Sequence, residues 1–249
     1  MRYRNIFLIS ILLGCSMLGS CADGRGSRSV KGEGRLSEQR SYVRRVDTLG
    51  LIVLYPEFAS VDLVCDQEPA KSDSSVILFA EAAYTGQCLD HFDHFNVAGD
   101  HVSAGKRHKG FRCRRNTGAF VYYGDGTWEF CHKDYSHKLD EAAARGGAAF
   151  GQELIVHDGK LVTTPRKDNN VNQFRALCEH NGRLCIIESD RVLTFGDFRS
   201  KLTQYEVSEA IYLDMGPGWN YAWYRDGDTV RELHPRQHGY CTNWITFYK

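Results

Sequence analysis

Short apolar runs, each bounded by polar turns, make up most of this chain beyond residue 50. Short runs rich in β-branched and aromatic side chains are typical of β-strands. Glycine-containing turns at 124–126, 157–159, 180–182 and 226–228 join neighbouring runs and predict β-hairpins. The runs that we predict as strands are 51–55, 61–65, 75–84, 118–123, 127–131, 148–156, 160–164, 174–179, 183–188, 210–213 and 244–248.

Two segments follow the helical period instead. Residues 135–145 bring small and apolar side chains onto one side, and residues 195–205 carry an apolar face that begins after the capping-box pair Thr194 and Asp197. The second helix lies between the strands 183–188 and 210–213, which predicts a crossover between parallel strands. We therefore expect an α+β fold, a single domain with a mixed, largely antiparallel sheet, several β-hairpins and one strand–helix–strand crossover.

The N-terminal segment has the pattern of an export signal. A basic start and a short apolar core lead into Leu18-Gly-Ser-Cys21, which is similar to the bacterial lipobox, in which the cysteine becomes lipidated. A plain cleaved signal peptide is the alternative. We predict a signal peptide with lipobox at 1–21, a flexible tether at 22–45 rich in Gly, Ser and Arg, and one domain at 46–249. The expected location is the bacterial periplasm or cell surface, with a lipid anchor at Cys21.

Charge and cysteine content narrow the function classes. The formal net charge is zero, whereas nucleic-acid binders usually carry a clustered basic excess, so we expect no nucleic-acid partner. In an oxidising compartment, disulfides are the default for the cysteines that follow Cys21. Cys178 and Cys185 flank one hairpin turn, and Cys113 and Cys131 bracket another hairpin. No pair has the CxxC spacing of a structural zinc site.

The richest candidate for chemistry follows the run 210–213. That run ends on Asp214, and the glycines Gly216 and Gly218 break the chain at once. A carboxylate at the end of a buried strand, under a glycine loop, is a common position for an active site. An Asp that merely caps a turn is the alternative. Aromatic residues then crowd the sequence, either as a platform for sugar rings or as core residues: Trp219, Tyr221, Trp223 and Tyr224.

Taken in order, the segments from about Ile77 to Arg225 resemble the phosphodiester glycosidase family. That family has a strand running into an Asn-Gly-Gly-aromatic turn, then a hairpin, a Gln-Ser-Gly-Pro segment, an Arg that opens a second hairpin, a helix, and a strand ending Leu-Asp-Gly-Gly. The counterparts are Glu81-Ala-Ala-Tyr84, the hairpin 118–131, Phe150-Gly-Gln-Glu-Leu154, Phe174-Arg-Ala176, the helix 195–205 and Tyr212-Leu-Asp-Met-Gly216. Two departures stand out, because Ala82 and Ala83 replace the two glycines of the turn and Met215 replaces a glycine after the acid.

The resemblance implies an exported hydrolase that cleaves a glycosidic or sugar-phosphodiester bond of an envelope or dietary glycan. Asp214 is then the principal carboxylate, Glu81 the second one, and Arg175 the clamp for the phosphate. A salt bridge to one of these two acids, Asp214 or Glu81, is the alternative role for Arg175. The expected substrate-binding residues are Gln152, Gly216, Asn220, Trp219 and Tyr84. A non-catalytic glycan-binding lipoprotein on the same fold is the alternative function, which the altered turn favours.

A polar loop offers a second kind of chemistry. Asp90, His91, Asp93 and His94 combine carboxylates and imidazoles, which could hold a divalent metal, although a solvated loop explains them as well. His91 or His108 is also an alternative acid–base group. We predict no cofactor, without excluding a divalent metal.

Overall fold

Antiparallel β-sheet dominates the structure, a computed structural model that describes residues 42–65, 67–87, 92–216, 220–234 and 242–249. The strands are β1 (Val43–Thr48), β2 (Leu51–Pro56), β3 (Ser60–Val64), β4 (Val76–Glu81), β5 (His101–Ser103), β6 (Lys106–His108), β7 (Gly118–Tyr122), β8 (Trp128–His132), β9 (Ala148–Gln152), β10 (Leu154–His157), β11 (Lys160–Leu161), β12 (Val171–Asn172), β13 (Arg175–His180), β14 (Arg183–Ser189), β15 (Leu193–Thr194), β16 (Glu209–Leu213), β17 (Ala222–Asp226), β18 (Thr229–His234) and β19 (Trp244–Tyr248). The helices are α1 (Ser136–Ala144) and α2 (Phe195–Gln204).

These strands form three large sheets and a small one. The orders are β1-β2-β14-β13-β16-β10-β11, β18-β17-β4-β19-β3, β6-β5-β9-β7-β8 and the pair β12-β15. One face of the seven-stranded sheet packs against the other two large sheets in a shared apolar core. Its opposite face is covered by α2, through Phe195, Phe198 and Leu202. Helix α1 packs on the third sheet through Leu139 and Ala142.

The α+β expectation is wrong. Strands account for 48% of the described residues and helices for 11%, so the fold is mostly β. The sheet is not mixed either, because every ladder between the named strands is antiparallel. The crossover through α2 exists, but β13 lies between β14 and β16 and pairs with both. The two strands therefore run in the same direction without being bonded to each other.

Two boundaries differ from the sequence pattern. The first strand begins at Val43, so the last residues of the segment 22–45 are part of a sheet. The apolar run 148–156 forms two strands that belong to different sheets, and the chain passes from one sheet to the other at Glu153.

Among the residues that the structure describes, no helix is long and apolar enough to cross a membrane.

The described cysteines are not joined by the predicted disulfides. Cys178 and Cys185 are direct partners across the β13–β14 hairpin, as the spacing predicts, but both are thiols, and so are Cys113 and Cys131. Burial raises the pKa of the Cys178 thiol well above its usual value, which keeps it protonated and slow to react.

Candidate active site

Asp214 lies where β16 ends beside the end of β4. Its backbone N–H donates a hydrogen bond of 2.9 Å to the carbonyl of Ala82, which joins the two strand ends. The backbone N–H groups of Thr85 and Met215 lie near its carboxylate and favour the ionised form. The sequence therefore predicts correctly that this acid lies at a strand end.

The carboxyl of Asp214 changes its protonation state near neutral pH. Asp214 is partly exposed, yet the protein packed around it raises the pKa of this carboxyl to about 7, against the opposing effects of the nearby backbone N–H groups and of the cations Arg166 and Arg115. An acid with a pKa near the working pH can both give and take a proton, which is the requirement for general acid–base catalysis. Perturbed carboxyls of this kind cluster at active sites.

A buried ion pair forms the wall next to Asp214. The Nε of Arg166 donates to Oε2 of Glu153 at 2.9 Å, and the Glu153 side chain is completely buried. Burial raises the pKa of Glu153, while Arg166 opposes the rise. The second oxygen, Oε1, has no hydrogen-bond partner within the described ranges. Glu153 is thus a second carboxylate of this wall, and one of its oxygens is buried without a hydrogen bond in the described structure.

Two tyrosines complete the wall. Arg166 donates a hydrogen bond from Nη2 to the hydroxyl of Tyr84, and its guanidinium lies 4.2 Å from the ring centre of Tyr212. The rings of Tyr84 and Tyr212 are 5.7 Å apart, and the Tyr212 hydroxyl donates to the carbonyl of Met215. Arg166 is therefore held on three sides, so its charge has a fixed position beside the acids.

A basic pocket of about 500 Å³ opens on Arg166. Three of its residues are cationic and two are amides, whereas none is acidic: Arg115, Arg166, Lys167, Asn169 and Asn170, with Pro165 and Val171. Arg115 also lies over Tyr84, 5.8 Å from the ring centre. A concave surface of this composition attracts an anionic group and brings it towards Asp214.

The altered turn after β4 is held by a distant side chain. Neither Ala82 nor Ala83 has a positive φ, so this backbone does not need the glycines that the resemblance leads one to expect. Asn243 accepts from the N–H of Ala83 at 2.6 Å and donates to its carbonyl at 2.9 Å. Met215 likewise has no positive φ and is buried. The substitutions therefore rebuild the turn rather than disorder it.

Arg175 belongs to a different environment from Asp214. Its strand neighbour Leu213 faces the core between the sheets, so Asp214, the next residue, starts on the opposite face. Arg175 is fully buried and forms an ion pair with Glu188, at 2.8 Å from Nε and 2.7 Å from Nη2. Nη2 also donates to the carbonyl of Asn220 at 2.8 Å. Arg175 thus forms a salt bridge, but its acid is Glu188 and not Asp214 or Glu81.

The other predicted site residues divide between these two places. Gln152 is buried beside the turn and donates to the carbonyl of Ala82 at 3.4 Å. Gly216 follows Met215 at the partly exposed end of the site. Glu81 is buried and pairs with Trp244 in the ladder, and alternation puts its side chain on the face of Phe79, away from Ala82. Trp219 lies outside the described residues.

The aromatic run after Asn220 is core rather than platform. Tyr221, Trp223 and Tyr224 are all buried, and Trp223 packs edge-on against Phe79 at 5.0 Å. Of the four candidate metal ligands, Asp90 and His91 lie outside the described residues, and Asp93 caps a short 3₁₀ turn by accepting from the N–H of Phe95. His94 contacts the imidazole of His101, whose pKa is lowered by burial to about 4.

Comparison with known proteins bears on the fold. No family model and no curated protein sequence matches the chain. Among solved structures it is similar to the catalytic domain of zebrafish N-acetylglucosamine-1-phosphodiester alpha-N-acetylglucosaminidase (NAGPA), auto-inhibited by its pro-peptide, with 13% identity and a TM-score of 0.54 over 84% of this chain and 82% of that one. The chain has the fold of the NAGPA catalytic domain. The resemblance inferred from the order of motifs is confirmed at this level, as a distant relationship.

The sequence predictions assign no role to three residues of this site, Glu153, Arg166 and Arg115. Glu153 has a visible signal, because it is a charged residue inside the apolar run 148–156 and stands where the resembling family has a serine. Arg166 and Arg115 lie in loops without periodicity, so nothing in the local pattern marks them. Only the folded chain brings them to Asp214.

Proposed function

We propose that this chain is a hydrolase that cleaves a glycosidic or sugar-phosphodiester bond in an envelope or dietary glycan. The observation that carries the proposal is the carboxyl of Asp214, whose pKa is about 7, at a strand end beside fixed cations. The fold shared with the NAGPA catalytic domain supports the same reaction class. The ligand is then a carbohydrate or sugar phosphate.

The charges of the site match those that develop in such a reaction. Hydrolysis at an anomeric carbon builds positive charge on the sugar ring and negative charge on the departing phosphate. Asp214 takes the proton of the attacking water, and the basic pocket at Arg115 and Arg166 neutralises the phosphate. Glu153 stands in for Glu81 as the second carboxylate, because it shares Arg166 and Tyr84 with the wall beside Asp214.

A substrate panel tests this function against the non-catalytic alternative. The purified protein is offered sugar 1-phosphodiesters and chromogenic α- and β-glycosides that lack phosphate, and release of reducing sugar is measured. Arg115→Met should lower kcat/KM for the phosphodiester by about 10–100-fold, since one charge-assisted contact is worth about 1.5–3 kcal/mol. The matched control is Arg191→Met, because Arg191 is an exposed cation outside the basic pocket.

Two outcomes would contradict the proposal. Glycan binding without turnover by the parent protein would establish the glycan-binding alternative. An equal loss in Arg115→Met and Arg191→Met would mean that the basic pocket has no special role in the reaction.

We further propose that the hydrolase works outside the cytoplasm, attached to a membrane by a lipid on Cys21. The support is the leader pattern of residues 1–21, which lies outside the described residues. Metabolic labelling with a fatty-acid analogue should mark the parent protein, and Cys21→Ser should abolish the label. Cys15→Ser, the matched control in the same leader, should keep it. Labelling that survives Cys21→Ser would contradict the anchor.

A further inference from the structure

A cluster of imidazole and thiol groups lies away from the basic pocket. Ligand atoms of Cys65, His94 and His101 are all within 4.8 Å of one another. Cys65 and His101 are buried, and His94 is half-buried. His108 stacks on His94, with ring centres 3.5 Å apart and planes 7° apart. The cluster therefore gathers one sulfur and several nitrogens in a nearly dry space.

The members of the cluster come from separate segments. Cys65 follows β3, His94 opens the 3₁₀ turn His94–Asn96, and His101 opens β5. His108 ends β6 and is the direct cross-strand partner of His101. Because these residues are scattered in the sequence, no local motif predicts the cluster. It shares His94 with the candidate loop ligands Asp90, His91, Asp93 and His94, but its other members come from elsewhere in the chain.

Hydrogen bonding orients the two nearest nitrogens. Nδ1 of His101 lies 3.2 Å from the carbonyl of Gly99, which favours a proton on Nδ1 and a lone pair on Nε2. That Nε2 lies 2.9 Å from Nδ1 of His94. Two nitrogens bound to one Zn²⁺ at about 2.0–2.1 Å are separated by about 3–3.4 Å, so a shift of a few tenths of an ångström makes room for an ion.

We propose that Cys65, His94 and His101 bind one Zn²⁺ ion. A thiolate with two imidazoles is a donor set that zinc prefers over magnesium or calcium, which select oxygen ligands. Binding replaces the proton of the Cys65 thiol, so one proton is released for each ion bound. Water fills the fourth position. The proposal stands whether or not the chain is a hydrolase.

The ion would brace the wall of the candidate active site. The segment that carries His94 is bonded to the segment after β4, because Gly86 donates to Asn96 at 2.9 Å and Ala98 donates to Tyr84 at 2.9 Å. Thr85 and Val97 also form an isolated bridge. The backbone N–H of Thr85 lies near the carboxylate of Asp214 and favours its ionised form. The cluster thus adjoins the segment that borders Asp214, and a bound ion would hold that segment in position.

Metal titration tests the proposal on the purified protein after removal of metal with a chelator. Zn²⁺ is added in competition with a chromophoric chelator, and Co²⁺ serves as a spectroscopic probe. We expect one Zn²⁺ per chain, and a thiolate-to-cobalt charge-transfer band in the near ultraviolet. Zinc at about 100 times its Kd should raise Tm by roughly 5–10 °C.

Variants assign the ligands. Cys65→Ser should abolish the charge-transfer band, and His94→Gln should weaken Zn²⁺ binding at least tenfold. The matched control Cys113→Ser should keep both, because Cys113 is half-buried and outside the cluster. His94 is half-buried, so His94→Gln remains a valid test if Cys65→Ser does not fold, which circular dichroism checks.

Two results would overturn the proposal. One is the absence of Zn²⁺ uptake at micromolar concentration, which would leave a plain hydrogen bond between His94 and His101. The other is uptake that survives Cys65→Ser and His94→Gln but is lost in His157→Gln. That result would move the ion to the surface group of His157, Asp158 and Glu209.

Discussion

Asp214→Asn is expected to abolish turnover and, above pH 7, to make the protein more stable. Asparagine has nearly the same shape but cannot take the proton of the attacking water, and loss of a general base typically costs 10²–10⁴ in rate. In the parent protein, kcat/KM should rise as the pH increases through about 7, because Asp214 must be ionised to act as the base. The variant should lack this rise.

The gain in stability follows from the raised pKa of Asp214. The unfolded chain releases the proton of this carboxyl near its usual pKa of 3.8, whereas the folded chain holds it to about 7. The folded state is therefore favoured by this group at low pH, and that contribution is lost as the pH rises through 7. Asparagine has no such loss. The free energy of unfolding of Asp214→Asn should therefore exceed that of the parent by about 2–4 kcal/mol at pH 8–9 and by little at low pH.

Thermal melting between pH 4 and pH 9 measures this effect. The gain corresponds to roughly 5–10 °C in Tm at the alkaline end. Asp134→Asn is the matched control, because Asp134 is exposed and asparagine tolerates its positive φ of 38°. A variant that melts below the parent at pH 8–9 would contradict the idea that the ionised carboxylate of Asp214 lowers the stability of the fold.

Arg175→Met is expected to cause a large loss of stability rather than a loss of substrate binding. The variant leaves Glu188 buried with only its contact to His234, and breaking a buried ion pair on one side typically costs about 3–5 kcal/mol. Urea unfolding measures the loss. The double variant Arg175→Met/Glu188→Leu should recover at least half of it, because it removes the unpaired buried charge as well.

Kinetics separate this role from that of a phosphate clamp. In Arg175→Met, the KM of the fraction that remains folded should stay near that of the parent, whereas Arg115→Met should raise it. A stable Arg175→Met with a strongly raised KM would mean that Arg175, and not the basic pocket, receives the phosphate.

The sequence predicts the local elements well, because local chemistry decides them. The turns at 157–159 and 180–182 have the positive φ values that hairpins need, at Asp158, Gly159, Asn181 and Gly182. Thr194 caps α2 as its spacing with Asp197 predicts. The position of Asp214 at a strand end also follows from the apolar run before it.

The partners of Asp214 could not be predicted, because they depend on contacts between distant segments. Alternation places Arg175 on the opposite face from Asp214, but which strands pair, and in which register, is a property of the whole fold. The run 148–156 reads as one strand because both of its halves are buried, and the change of sheet at Glu153 has no local mark. Arg166 reaches the site from a loop, where no period applies.

The clamp by Asn243 has a consequence for biosynthesis. Asn243 and Ala83 are 160 residues apart in sequence, yet only this amide satisfies the N–H of the turn beside Asp214 in the described structure. A nascent chain that has not reached residue 243 contains every candidate catalytic residue but lacks these hydrogen bonds to the turn beside Asp214. The activity should therefore appear only after residue 243 has been synthesised and this long loop has closed.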